Sequence, residues 1–192
     1  MSRRRRIHNY LYEEFDTTLL ADFDAFTALF ASNASLVAYD LGHQIHDTAT
    51  GSTYAIASVG GVKVWSSVGG ACLRVVAFGT AFDAHSMVQM EGVVPLRVIA
   101  PAAAGDLVAG VLLGVVNPGE VGYLQTVGNA WIRLAGAAIT TGIAIASDAT
   151  ATGGRAQDAV ATDVSIAMPL INIITTGAID YTLACVSGVR VI

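Results

Sequence analysis

"DLVAGVLLGVV" (Asp106–Val116), "EVGYLQTVG" (Glu120–Gly128), "NAWIRLAG" (Asn129–Gly136) and "AITTGIAIASDA" (Ala138–Ala149) decide how this chain folds. Each is a short run of Val, Ile, Leu and Ala closed by Gly, Asn-Pro-Gly or an Asn/Asp. Runs of this length, rich in residues that pack on a pleated surface, argue for strands of an antiparallel sheet or barrel. No nucleophile, metal cluster or phosphate cradle lies among them, so the stretch yields an architecture and little chemistry.

The same signals continue toward the N-terminus. Tyr54 to Val59 and Val62 to Ser66 flank Gly60-Gly61, a pair able to take the positive φ angles of a tight hairpin turn. In "CLRVVAF" (Cys72–Phe78) both alternating faces are mostly apolar, which predicts a strand covered on both sides. "VVPLRVIA" carries Pro95 early, where a strand start or a sheet edge tolerates it. Pro101 and "AAAG" mark a boundary.

One helix is predicted, over about Asp16 to Ser32. Phe15, Leu19, Phe23, Phe26 and Phe30 recur at spacings of four, four, three and four, with Asp16, Thr17 or Thr18 as cap. Four of the six phenylalanines fall in this segment. They require burial, either against the chain's own sheet or in a neighbouring molecule, and the stripe does not separate the two. Ahead of the helix, Arg3, Arg4, Arg5 and Arg6 hold four of the ten basic charges. That leaves six basic against fifteen acidic residues, formally −9. With Tyr10, Tyr12 and Phe15 directly behind, the arm is expected to contact protein, since the acidic body would be repelled from a duplex. The predicted interface is therefore Arg3, Arg4, Arg5, Arg6, Tyr10, Tyr12, Phe15, Leu19, Phe23, Phe26 and Phe30.

The expected fold is mainly β: an antiparallel β-barrel or sandwich with an N-terminal extended arm and one amphipathic helix. Three parts are expected, namely 1–47 (arm, helix and linker), 48–100 (a first β-rich portion) and 101–192 (a C-terminal β-domain). The linker "SLVAYDLGHQIHD" (Ser35–Asp47) reads as a polar loop. His43 and His46, flanked by Asp40 and Asp47, have ligand spacing but no recognisable scaffold, so no metal is expected.

Composition narrows the classes. The chain has 192 residues, enough for a real core, with 54% hydrophobic and 13% charged side chains against roughly 25% charged in an average globular protein. So little charge points to an outer surface covered by other subunits. Mean hydropathy is +0.59, yet the longest uncharged run, Val164 to Ile179, contains Pro169, Asn172 and Gly177. It falls short of the ~18 apolar residues a spanning helix needs. No membrane segment and no signal peptide are expected. Cys72 and Cys185 read as two unpaired thiols in a reducing compartment.

Enzyme signatures are sparse. With one lysine, Lys63, there is no phosphate-binding loop of the Walker type, and G-x-S-x-G, H-E-x-x-H and G-x-G-x-x-G do not occur. "DAHS" (Asp83–Ser86) sets an acid, a His and a Ser side by side, but triads meet through folding and not adjacency. No enzyme, cofactor or small-molecule substrate is expected.

"GDLVAGVLLGVV" (Gly105–Val116), "GEVGYLQTVGNAWIRL" (Gly119–Leu134), "AITTGIAIASDATATGGRAQDA" (Ala138–Ala159) and "IDYTLACV" (Ile179–Val186) follow one another in an order that resembles the capsid cement, or decoration, proteins of tailed bacteriophages. The resemblance covers about half the chain and rests on turn glycines and strand residues. The segment Ser2 to Asp47 departs from the short family members and reads as an added arm. The resemblance implies a non-enzymatic virion protein on the capsid outer surface, made in the host cytoplasm and bound to the major capsid protein. It also implies self-association as a homotrimer. Other classes are a head fibre, spike or adhesin module using Ser35 to Asp47 or "SDATATGGRAQDA", a β-barrel hydrolase, or a nucleic-acid-associated virion protein using the arginines.

Overall fold

The computed structural model describes residues 3–7, 10–69, 71–93, 96–103, 106, 108–134, 139, 143, 145–148, 155–158, 164–170, 174–176 and 179–191. The chain is mainly β, as expected, with one α-helix. Five strands make the first sheet in the order β1-β2-β3-β4-β5: β1 (Arg3–Ile7), β2 (Tyr10–Phe15), β3 (Gln44–Asp47), β4 (Ser52–Val59) and β5 (Val62–Val68). All neighbours are antiparallel except β2 and β3, whose pairing Tyr12↔Gln44 to Phe15↔Asp47 is parallel. Parallel strands need a crossover. Here it is α1 (Leu20–Phe30) followed by a 3₁₀ turn (Asn33–Ala38). The β4–β5 hairpin turns at Gly60 (φ 59°) and Gly61 (φ 85°), two successive left-handed positions that glycine adopts without strain.

The helix is shorter than predicted at both ends. Leu19 occupies the N-cap position without a side-chain cap. Asp16 Oδ1 instead accepts from the Thr18 N–H and hydroxyl in the turn before it, and Asp22 Oδ2 accepts from the Asp16 N–H. Thr17 looks elsewhere, donating its hydroxyl to Asp47 Oδ1 at 2.7 Å.

The second sheet contains the barrel. Strands β6 (Ala71–Ala77), β7 (Met87–Val93), β8 (Leu96–Ile99), β9 (Gly110–Leu112) and β10 (Val121–Arg133) pair as β10-β6-β8-β7-β9 and back to β10, which closes a five-stranded ring. One of its pairings, β6 with β8, is parallel. Val75, Ala77, Phe82, Val88, Val98, Leu112, Val116 and Leu124 fill the interior. A closed barrel this small is packed by its own side chains and holds no channel. At Gly110 a Cβ would strike the Gln125 carbonyl oxygen of β10, so the β9–β10 seam closes only over a bare backbone.

Strand β10 is one long strand where two short runs were expected. Its first half belongs to the barrel. After a bulge between Gln125 and Val127, with Gly128 at φ 104°, the second half pairs with a further strand. That outer layer consists of β11 (Ile145–Asp148), β12 (Arg155–Asp158), β13 (Val164–Pro169), β14 (Ile174–Thr176) and β15 (Ile179–Val191). It runs β12-β11-β13-β15-β10, with β14 also on β15. β11 and β12 pair antiparallel, Ile145 opposite Asp158 and Asp148 opposite Arg155. Among the described residues no helix is long and apolar enough to cross a membrane.

The expected tripartite division does not follow the hydrogen bonding. The boundary at 47/48 cuts the β3–β4 pair and the one at 100/101 cuts the barrel. The Ser35–Asp47 linker is likewise not a loop, since it contributes the 3₁₀ turn and β3. In β6, Val75 and Ala77 are buried while Leu73 is 42% exposed, so the strand is not covered along its whole length. Pro95 lies outside the described residues.

Between the two sheets sits α1. Phe23 packs on Trp131 of β10 (ring centroids 4.5 Å apart) and Tyr181 of β15 (5.6 Å). Phe30 packs on Tyr54 of β4 (5.2 Å) and Trp65 of β5 (5.1 Å). Tilted and edge-on ring pairs at these separations stabilise by about 0.5–1.5 kcal/mol each beyond area burial. Both indoles also find acceptors: Trp65 Nε1 donates to Leu29 O at 3.0 Å and Trp131 Nε1 to Asp47 Oδ2 at 3.4 Å.

Candidate interaction surfaces

Of the predicted interface residues, Arg3 to Arg6 are not in a free arm. They form the edge strand β1, with Arg3 opposite Glu14, Arg4 opposite Glu13 and Arg5 opposite Tyr12 in antiparallel register. Opposite charges at facing positions favour that pairing, and a charged strand suits a sheet edge because it discourages further strand addition. The side chains of Arg3 to Arg6 and Tyr10 lie outside the described residues. Tyr12 is half-buried and stacks on His46 at 6.0 Å; its hydroxyl pKa is raised by burial and then by Glu14.

Phe15, Phe23, Phe26 and Phe30 are placed differently from the interface expectation. All are at most 3% exposed. They are consumed by the chain's own aromatic core and have no surface left for a partner. Leu19, from the same stripe, is 54% exposed, and Leu20 beside it 57%. The stripe thus divides into an inward aromatic part and an outward aliphatic end.

Further exposed aliphatic residues lie on the 3₁₀ turn, the segment after it and β5: Val37 (75%), Leu41 (55%) and Val62 (47%). Lys63, next to Val62, directs its ammonium back to the carbonyls of Val37 and Tyr39, tying the 3₁₀ turn to β5. The one lysine of the chain is thereby spent on backbone carbonyls inside an apolar patch. Elsewhere Phe78 is 47% exposed and carries the Arg97 guanidinium 4.6 Å above its ring, and Arg97 Nε also pairs with Glu91 at 3.0 Å.

His43 and His46 part company. His43 is buried, 3.9 Å from Glu13 through Nε2, with the Tyr39 ring tilted against it at 4.6 Å; His46 Nδ1 is 2.9 Å from Thr53 Oγ1. Among the described residues no group of three His, Cys, Asp or Glu is placed to hold a metal ion. Cys72 and Cys185 carry free thiols, and burial raises the pKa of Cys72.

The sequence matches no protein-family model and no curated protein.

"DAHS" does not assemble a triad. The Asp83 carboxylate pairs with Arg133, while the His85 ring packs between Phe30 (5.1 Å) and Tyr181 (5.9 Å). His85 is fully buried in a left-handed conformation (φ 64°), its Nε2 and the Ser86 Oγ have no hydrogen-bond partner among the described residues, and burial followed by Arg133 pushes its pKa down to about 3. A proton acceptor so reluctant, without a carboxylate to orient it, is not a general base at neutral pH. Sequence reasoning missed a different feature, a polar cavity at the β10 bulge, because its walls come from three segments far apart in the chain.

Proposed function

We propose that this chain is a structural, non-enzymatic virion protein that decorates the outside of an icosahedral phage shell, joining the major capsid protein and its own copies as a trimer. One observation carries the reading. On a chain with 13% charged residues, aliphatic side chains stand exposed in local groups, Leu19 with Leu20 at the start of α1, and Val37, Leu41 and Val62 on the 3₁₀ turn, the segment after it and β5. Each square ångström of such surface removed from water is worth about 25 cal/mol. Groups of this kind mark contact sites more often than isolated exposed residues do. The cement-protein resemblance of the strands from Gly105 onward supplies the partner, and the filled barrel supplies a rigid body for it to hold.

Attachment here runs through preformed surface and not through a loose arginine clamp, because β1 and β2 are built into the first sheet. Removing residues 2–32 would therefore destroy the aromatic core, so surface variants are the sharper probe. Sedimentation of the purified protein should give a trimer, and mixing with empty shells of a tailed-phage major capsid protein should bring it into the shell fraction. Leu19→Ser with Leu20→Ser, or Val37→Ser with Val62→Ser, should weaken one or both associations while leaving the melting temperature unchanged. A monomer at every concentration that never sediments with shells would overturn the proposal.

A further inference from the structure

The β3–β4 turn, the end of β5 and the bulge of β10 line an open cavity of about 290 Å³. Thr50, Ser52, Ser67, Gln125 and Asn129 contribute polar side chains to its wall, and Gly51, Gly69 and Gly128 contribute backbone. Val68 completes it and is 47% exposed, and Val127, 50% exposed, is a neighbour of the bulge. We propose that this cavity binds a neutral, hydroxyl-rich ligand about one sugar ring in size.

Charge excludes the main competitors. Among the described residues the wall contains no ionisable side chain, so a phosphate, carboxylate or ammonium ligand would lose its hydration without a counter-charge. It contains no aromatic ring on which a nucleobase could stack. What it offers is hydroxyl and amide groups, each of which both donates and accepts, beside a small aliphatic surface. That combination fits a saccharide, whose hydroxyls also do both and whose C–H faces are apolar. The volume lies at the lower limit of ordinary small-molecule sites, roughly 300–1,000 Å³, which suits one ring.

The wall is also braced. Asn129 Nδ2 donates to Thr50 O (3.4 Å) and Ser52 Oγ to Asn129 O (3.5 Å), linking the first sheet to the barrel strand. Gln125 is 3% exposed, and its Nε2 donates to Val127 O (3.2 Å) and Asn129 O (2.9 Å). Those two carbonyls fix which way the amide lies, since only the NH₂ end can serve them. Its Oε1 is left as an acceptor with no donor among the described residues. Gly128 permits the arrangement, because a Cβ there would come within 3.2 Å of that Nε2. A buried acceptor without a donor is a cost the fold carries; this one is closed to solvent, so the Gln125 amide must turn for a ligand hydroxyl to donate to it.

The test uses the full chain and a panel of free monosaccharides (glucose, galactose, mannose and N-acetylglucosamine), each at tens of millimolar, read by saturation-transfer NMR. At least one should receive saturation, and Gln125→Leu should weaken its binding by about tenfold, equivalent to ~1.4 kcal/mol. Val68→Trp alters an exposed position, so the fold is kept while the mouth is blocked; it should abolish the signal even if the Gln125 variant folds poorly. No saturation of any sugar, or binding undiminished by Val68→Trp, overturns the proposal. Neither result bears on shell attachment, which rests on Leu19, Leu20, Val37, Leu41 and Val62.

Discussion

His85 should make the protein acid-sensitive in a measurable way. Its ring is enclosed by Phe30 of α1, Tyr181 of β15 and the Arg133–Asp83 pair, and burial followed by the Arg133 charge lowers its pKa from 6.5 to about 3. The folded state therefore releases this proton more readily than the unfolded chain. Stability from the neutral ring is fully present above about pH 6.5, falls as pH drops below that value, and is exhausted near pH 3. Within that window each pH unit costs up to about 1.4 kcal/mol, so descending two units removes at most ~2.7 kcal/mol. Carboxylates titrate over part of the same range, and a comparison removes their contribution. His85→Asn keeps a residue that tolerates the left-handed backbone and takes away the titration. Denaturant midpoints for both proteins should show the variant less stable at neutral pH, through lost ring packing, with the gap closing as pH falls toward 4.5. Parallel stability curves across that range would refute the reasoning, as would an imidazole NMR titration near the ordinary value.

Two further substitutions probe the frame. Gly110→Ala drives a methyl group onto the Gln125 carbonyl at the closing seam of the barrel, and overpacking against backbone should cost about 1–3 kcal/mol in urea unfolding; a variant as stable as the parent would mean the β9–β10 seam is not closed as described. Phe23→Ala empties the space between Trp131 and Tyr181 where α1 holds the second sheet, with an expected loss of about 3–5 kcal/mol and a changed tryptophan near-UV signal; a loss under ~1 kcal/mol would remove α1 from its place between the sheets.

Local chemistry made some elements legible and left others hidden. Gly60-Gly61 was readable because two successive left-handed residues between apolar runs have one common use. The Phe stripe announced a buried helix face, but not its partner, because periodicity fixes a direction and not a neighbour. β3 was missed: "QIHD" alternates half-buried and buried positions, but one buried member is Asp47, whose carboxylate serves Thr17, the Ala49 N–H and Trp131. A polar group satisfied by one local and two distant donors disguises the strand. Gly128 was read as a turn between two strands because a bulge and a turn ask the same conformational favour of glycine. The arginine run read as an arm reaching for another protein, since nothing local announces that Glu13 and Glu14 will stand opposite it. The polar cavity had no local signal, since Thr50, Ser67 and Asn129 meet only after both sheets form.

The burial of the phenylalanines changes what kind of association this molecule can make. A disordered arm that folds on a capsid would spend part of its binding energy on ordering itself, and would use its aromatics as anchors. Here those aromatics already join α1 to Tyr54, Trp65, Trp131 and Tyr181, and the arginines already occupy a paired strand. The aliphatic groups on which the proposed attachment rests are exposed and carried on elements held from behind: Leu19 and Leu20 by the inward face of α1, Val37 and Val62 by the Lys63 ammonium on the carbonyls of Val37 and Tyr39. Attachment of the proposed kind would be the docking of a finished surface. Its strength would then depend on the number of copies engaged and on their fit, and little on any conformational change within one copy.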